Sequence, residues 1–185
     1  HQRDNNKCYL GNSYTNEFIE NKLIKKNKLM KNYSFKKLND VDLYNEVANR
    51  ISKNQVIGWF KGRCEWGPRA LGNRSILADA RNPEIKDILN KKIKLRESVR
   101  AFATAVLEEF ANTYFDINYP SPFMLNVVNG KKIAKESVPS VVHVDNTCRV
   151  QTVSKSDNYH FYNLISEFNK LTGIPIILNT SFNEN

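Results

Sequence analysis

The 185 residues are 41% hydrophobic and 25% charged, the balance of one globular domain with its own core, and not that of a fibrous or disordered chain. The formal charge of +9 turns attention to acidic partners: nucleotides, phosphates, nucleic acid or anionic surfaces. No apolar run approaches the roughly 20 residues of a membrane span, and Cys8, Cys64 and Cys148 lack disulfide-framework or zinc spacing, so they read as free thiols in a reducing, cytoplasmic compartment.

In chain order, Thr15 to Lys31 has the pattern of a polar amphipathic helix carrying Phe18, Ile19 and Leu23. A lysine-rich loop follows through Lys37. Asp40 then caps a helix to about Lys53, with Leu43, Val47 and Ile51 on one stripe. Gln55 to Phe60 reads as a strand and Ser75 to Ala78 as another, with a glycine-rich stretch between them. Asn82 and Pro83 open a helix to about Ile93 that buries Ile85, Ile88 and Leu89. Phe102 to Leu107, Phe123 to Val128 and Val141 to Val153 read as strands, and Gly130 to Pro139 as a loop. Tyr159 to Leu171 is a helix with Phe161, Leu164, Ile165, Phe168 and Leu171 on one face. Gly173 ends it before the buried strand Ile174 to Leu178. Strands and helices mix without strict alternation, which predicts a mixed sheet with helices packed on it, in the α/β or α+β class.

Four segments carry polar chemistry. Gly62 to Ser75, GRCEWGPRALGNRS, combines glycines that allow tight turns with Arg63, Arg69 and Arg74, whose planar forks match phosphate or carboxylate oxygens. The spacing of Gly67 and Gly72 mimics a P-loop, but Asn73 stands where that site needs lysine, so a Walker A site is rejected. The plain alternative is a turn whose arginines pair with Glu65 and Asp79. Lys94 to Arg100, KLRESVR, gathers Lys94, Arg96 and Arg100 with only Glu97 to compensate. In His143 to Gln151, strand alternation would put His143, Asp145, Thr147, Arg149 and Gln151 on one face, with Asp145 keeping His143 charged or oriented. Asn179 to Asn183, NTSFN, ends an apolar strand with amides and hydroxyls suited to phosphate or sugar oxygens. Solvated loops and an exposed sheet face are the bland readings of these last three. No Cys/His or Ser/His/Asp set suggests covalent catalysis.

In this order, EWGPRALGNRSILAD, NKKIKLRE, HVDNTCRVQTV and TGIPIILNTSFN resemble the C-terminal domain of the O-carbamoyltransferases, the group that includes nodulation, tobramycin and cephamycin carbamoyltransferases. The resemblance spans roughly Trp59 to Asn185. It implies a YrdC-like fold, a twisted open sheet with a basic concave face. That domain would bind ATP and carbamoyl phosphate and form carbamoyl adenylate, with Mg2+ arriving on the ATP. An N-terminal domain of the Kae1 fold would pass the carbamoyl group to the hydroxyl of an unidentified acceptor such as a sugar or glycan. On this reading residues 1–185 are a single domain excised from a longer protein and shortened at its C-terminal end. Its partners would be small-molecule substrates and the N-terminal domain, with neither membrane nor nucleic acid among them.

Residue by residue, the resemblance assigns phosphate and nucleotide binding to Arg69 of the GPRALG segment, to Lys94, Arg96 and Arg100, to Arg149 of RVQ, to His143 and Asp145 of HVD, and to Asn179, Ser181 and Asn183 of NTSFN. Lys94, Arg100 and Arg149 would be the catalytic cations. Arg63 and Arg74 are expected to hold the loop in shape. Three departures stand out: Val99 and Ala101 replace an aromatic residue and a proline of the family pattern, and Asn146 replaces a glycine, a change the left-handed region tolerates. They keep open a degenerate acceptor-docking domain, and the charge keeps open an RNA-binding module of the same fold.

Overall fold

The computed structural model describes residues 8–29, 34–95 and 102–182. The helices are α1 (Asn16–Leu29), α2 (Asp40–Ser52), α3 (Ile85–Lys92), α4 (Ala111–Tyr114), α5 (Lys132–Ser137) and α6 (Tyr159–Thr172). The strands are β1 (Ile57–Phe60), β2 (Arg74–Ala78), β3 (Ala103–Leu107), β4 (Val127–Asn129), β5 (Thr147–Val153) and β6 (Ile176–Ser181). They form one sheet in the order β1-β2-β6-β3-β5-β4. Only β3 and β5 run parallel, and every other pairing is antiparallel. This is the mixed sheet with packed helices that the pattern predicts.

Side-chain alternation along each strand splits the core into two layers. Ile76, Ala78, Val106, Val150, Ile176 and Leu178 face one side, where α3 brings Ile85 and Leu89. Leu77, Ala105, Leu107, Val153 and Ile177 face the other, against α2 and α6. β6 lies inside the sheet with both faces covered, which is why Ile176, Ile177 and Leu178 form an unbroken apolar run. Phe161, Leu164, Ile165 and Phe168 of α6 are fully buried at helical spacing.

Several local expectations change. The side chain of Asn39, and not Asp40, caps α2 by accepting from the Asp42 N–H. Leu171 is 56% exposed, on the last turn of α6 before left-handed Gly173 ends the helix. The segment expected as a loop over residues 130–139 contains α5, and the strand expected over 123–128 shrinks to Val127–Asn129. The long strand expected from Val141 begins only at Thr147. The Asn146 N–H donates to the His143 carbonyl and the His143 N–H to the Thr147 carbonyl, closing a turn with Asn146 at φ 70°. Asparagine thus supplies the left-handed residue there. The stripe of α1 stays partly exposed, with Tyr14 stacked on Phe18 and on Phe60.

Across the α2–α6 contact, the Tyr44 hydroxyl hydrogen-bonds His160 Nδ1 at 2.6 Å. Burial pushes the His160 pKa below its ordinary 6.5, Lys61 adds to this, and Asp40 opposes it. The unfolded chain therefore takes up this proton first as pH falls, and the stability held by neutral His160 is present above 6.5 and lost below it. Urea unfolding at pH 7.5 and 5.5 should show a lower midpoint at 5.5, with a smaller difference in His160→Gln. An unchanged difference in that variant would place the effect elsewhere.

Candidate functional site

The polypeptide from Gly62 to Asn73, between β1 and β2, is held by an acceptor set within it and around it. Glu65 Oε1 accepts the backbone N–H groups of Leu71, Asn73 and Arg74 at 2.8, 2.8 and 3.1 Å. A carboxylate gathering several N–H groups makes the stronger, charge-assisted kind of hydrogen bond. The Leu71 carbonyl accepts from the Tyr9 hydroxyl at 2.9 Å and from Gln151 Nε2 at 3.0 Å. The Ala70 carbonyl accepts from Asn179 Nδ2 at 3.1 Å, and the Gly72 carbonyl from Trp59 Nε1 at 2.8 Å. Gly72 is at φ +99°, and a Cβ there would lie 2.1 Å from Phe161 Cδ1, so only glycine lets the loop lie on α6.

A second strap comes from the N-terminal residues. The Cys8 carbonyl accepts from the Trp66 N–H at 2.6 Å, the Gly11 N–H donates to the Cys64 carbonyl, and the Cys64 N–H to the Asn12 carbonyl. Arg63 donates to the Leu10 and Gly11 carbonyls. Arg74 donates to the Lys61, Gly62 and Asn73 carbonyls and covers the Phe60 ring at 3.5 Å. Both arginines are therefore spent on the loop, as expected. The alternative of arginines paired with Glu65 and Asp79 fails for this loop: Glu65 serves the backbone, and Asp79 pairs with Arg81 at 2.6 Å.

Fixed in this way, the loop places Arg69 opposite Arg149 of β5. Arg69, Arg149, Asn179 and Ser181 line one cleft of about 130 Å³, closed by Pro68, Phe102, Ala103 and Met124. Neither guanidinium has a carboxylate partner among the described residues. Burial depresses the Arg149 pKa below its ordinary value, and the Arg69 charge adds to it. Lys94, 2% exposed, reaches the same strand end and donates to the Ser181 carbonyl at 2.6 Å and to its Oγ at 3.2 Å. Asn179 is fully buried, and its Oδ1 has no donor among the described residues. Two cations beside amide and hydroxyl groups make a site for a small anion.

His143 and Asp145 do not line this cleft. The turn before β5 removes the shared strand face expected of them, and Asp145 Oδ1 accepts instead from the Thr147 N–H and hydroxyl. Nor does Asp145 keep His143 charged: burial outweighs it and lowers the His143 pKa, with Lys86 and Arg149 adding to the effect. Arg96, Arg100 and Asn183, together with Val99 and Ala101, lie outside the described residues. Larger grooves beside α1 and α2, about 420 and 750 Å³, hold cations largely neutralised by carboxylates, as in Lys37–Glu20, Lys61–Asp40 and Arg50–Glu46. Burial pushes the Cys148 thiol up to about 12 and the Cys8 thiol up to about 11, which leaves both protonated and poor nucleophiles.

Residues 48–185 match the family model described as "Carbamoyltransferase C-terminus". The chain belongs to the carbamoyltransferase C-terminal family. It is 40% identical over 195 residues to the uncharacterised protein sll1178 of Synechocystis, covering 95% of this chain and 31% of that protein. It is 48% identical over 147 residues to nodulation protein NolNO of Sinorhizobium fredii, covering 78% of this chain and 22% of the relative. Nodulation protein U of Rhizobium tropici is 43% identical over 138 residues, 75% of this chain and 24% of its own length. The chain thus spans less than a third of each of these curated relatives. Among solved structures, full-length HypF in its phosphate- and nucleotide-bound form matches with a TM-score of 0.49 and 15% identity, over 82% of this chain and 18% of that one. No helix among the described residues is long and apolar enough to cross a membrane.

The sequence gives little sign of Tyr9, Glu65, Gln151 and Asn158 as organisers. Asn158, which also caps α6, donates to the Tyr9 hydroxyl and to Asn73 Oδ1 and so closes the network. A lone acid among loop arginines is the one signal that was available. Charge-assisted hydrogen bonds contribute about 1.5–3 kcal/mol, so Glu65→Gln should lower stability by about that amount in urea titration. Tyr9→Phe, which loses one bond, should cost about 1 kcal/mol. A Glu65→Gln cost no larger than that of Tyr9→Phe would contradict the assigned role.

Proposed function

We propose that this chain is the module of an O-carbamoyltransferase that binds ATP and carbamoyl phosphate and forms carbamoyl adenylate. The Arg69–Arg149 pair, which has no carboxylate partner among the described residues and lines a polar cleft, carries this reading. Carbamoyl phosphate and water give carbamate and inorganic phosphate. A carbamate oxygen then attacks the α-phosphorus of ATP, and the bond to the departing pyrophosphate breaks. Carbamoyl phosphate, carbamate and ATP are all anions, and negative charge grows on the phosphoryl oxygens and the leaving group. Fixed guanidinium groups stabilise that charge without having to reorganise.

Each residue has a part. Arg69 and Arg149 oppose the phosphoryl charge. Lys94 holds the Ser181 carbonyl and hydroxyl, which fixes the polar end of β6 at the cleft. Asn179 ties the strand to the Ala70 carbonyl and so to the Arg69 loop. Arg96 and Arg100 would add cations from the segment that follows Lys94. Magnesium would come with the nucleotide and be held mainly by its phosphates. Among the described residues no three His, Cys, Asp or Glu groups come together to hold an ion, so the fit rests on the phosphates and no step is assigned to the metal. The remaining length of the related proteins leaves room for a domain of the Kae1 fold that would transfer the carbamoyl group to an acceptor hydroxyl.

A ligand at a hundred times its Kd stabilises the folded state by about 2.7 kcal/mol, which for a chain of this size raises Tm by about 5–10 °C. ATP with magnesium, and carbamoyl phosphate, should each give such a rise in a thermal-shift assay, and Arg69→Ala should remove it without lowering the ligand-free Tm. No rise with either ligand, or an equal rise in the variant, would overturn the reading.

A further inference from the structure

The chain has two tryptophans in opposite settings. Trp59 is 3% exposed and donates its indole N–H to the Gly72 carbonyl. Trp66 is 76% exposed, an unusual state for a residue whose large apolar surface normally drives it inside. Its exposure does not come from a loose loop. Its own N–H is bonded to the Cys8 carbonyl at 2.6 Å, and the preceding Glu65 carboxylate gathers the N–H groups of Leu71, Asn73 and Arg74. The backbone is fastened and the indole is held out from it.

Its place along the chain is specific. Pro68 and Arg69, which line the anion cleft, follow two and three residues later. Chain reach keeps the Cα atoms of Trp66 and Arg69 within about 11 Å, a span that one nucleotide covers between base and outer phosphates. An aromatic face beside paired guanidinium groups suits a ligand with a flat π-system at one end and negative charge at the other. We propose that Trp66 is the stacking platform for the base of the nucleotide whose phosphates the Arg69–Arg149 cleft holds. This rests on the nucleotide reading given above.

A protein partner is the other candidate for an exposed indole. The neighbours of Trp66 in the loop are Glu65, Gly67, Pro68 and Arg69, of which only Pro68 carries an apolar side chain. Interface cores are depleted of charge and built from contiguous apolar contacts, so these surroundings favour a base over a protein. Because every base has a π-face, stacking distinguishes a nucleotide from a bare polyphosphate more than one base from another.

The test uses the 185-residue chain with ATP, GTP and inorganic tripolyphosphate. ATP and GTP should quench the solvent-exposed tryptophan emission, which belongs to Trp66, and tripolyphosphate should leave it unchanged. Trp66→Ala should weaken ATP about tenfold while tripolyphosphate affinity stays within about twofold, and Trp66→Phe should restore most of the loss. An equal loss for ATP and tripolyphosphate, or no loss for either, overturns the proposal and leaves the anion site standing. If neither ATP nor tripolyphosphate binds the unaltered chain, the nucleotide reading itself falls and takes this one with it. Self-association that disappears in Trp66→Ala, with ATP affinity intact, would assign the indole to protein contact and also overturn the proposal.

Discussion

The Glu65 carboxylate gathers three backbone N–H groups from the residues just beyond the turn it precedes, and the position of the Arg69–Arg149 cleft follows from that arrangement. Unsatisfied backbone donors are costly once buried, so a loop that crosses a sheet must find acceptors for them. Glu65 supplies them from within the loop. Its oxygen is then committed to the backbone, and Arg69 has no carboxylate partner among the described residues. Gly72 makes the same geometry sterically accessible by letting the loop press on Phe161. Leu71 and Ala70 carry the alignment into the sheet, through Gln151 of β5 and Asn179 of β6. The strands that hold Arg149 and Ser181 are thereby registered against the loop that holds Arg69.

The six arginines of the described residues divide by task. Arg50 and Arg81 pair with carboxylates, and Arg63 and Arg74 fasten carbonyl groups. Arg69 and Arg149 do neither and meet at the cleft. Arg149 is half-buried and Arg69 exposed beside it, and two like charges so placed repel each other. The net charge of +9 is a poorer guide than this local arrangement, since many of the lysines are exposed or paired.

Much of the architecture was legible in the sequence because it depends on periodicity. The α6 stripe of Phe161, Leu164, Ile165 and Phe168 and the buried β6 run announce themselves. The expectations that failed were those in which a local turn overrode the period. Alternation through His143, Asp145 and Thr147 suggested one strand face, but a left-handed Asn146 bends the chain there. At the site, the arginines of the GPRALG and RVQ segments were found from residue type and motif. The hydrogen-bond network around them was not, because Tyr9 and Asn158 lie 62 and 87 residues from Leu71 and no local pattern announces such contacts.

The claim that the Arg69–Arg149 cleft is a phosphate site is tested most directly by a crystal structure of the chain with a non-hydrolysable ATP analogue and magnesium. Phosphoryl oxygens should lie within hydrogen-bond distance of both guanidinium groups and beside Ser181. Phosphates held elsewhere, on surface lysines or in the grooves beside α1 and α2, with Arg69 and Arg149 making no contact to them, would contradict it.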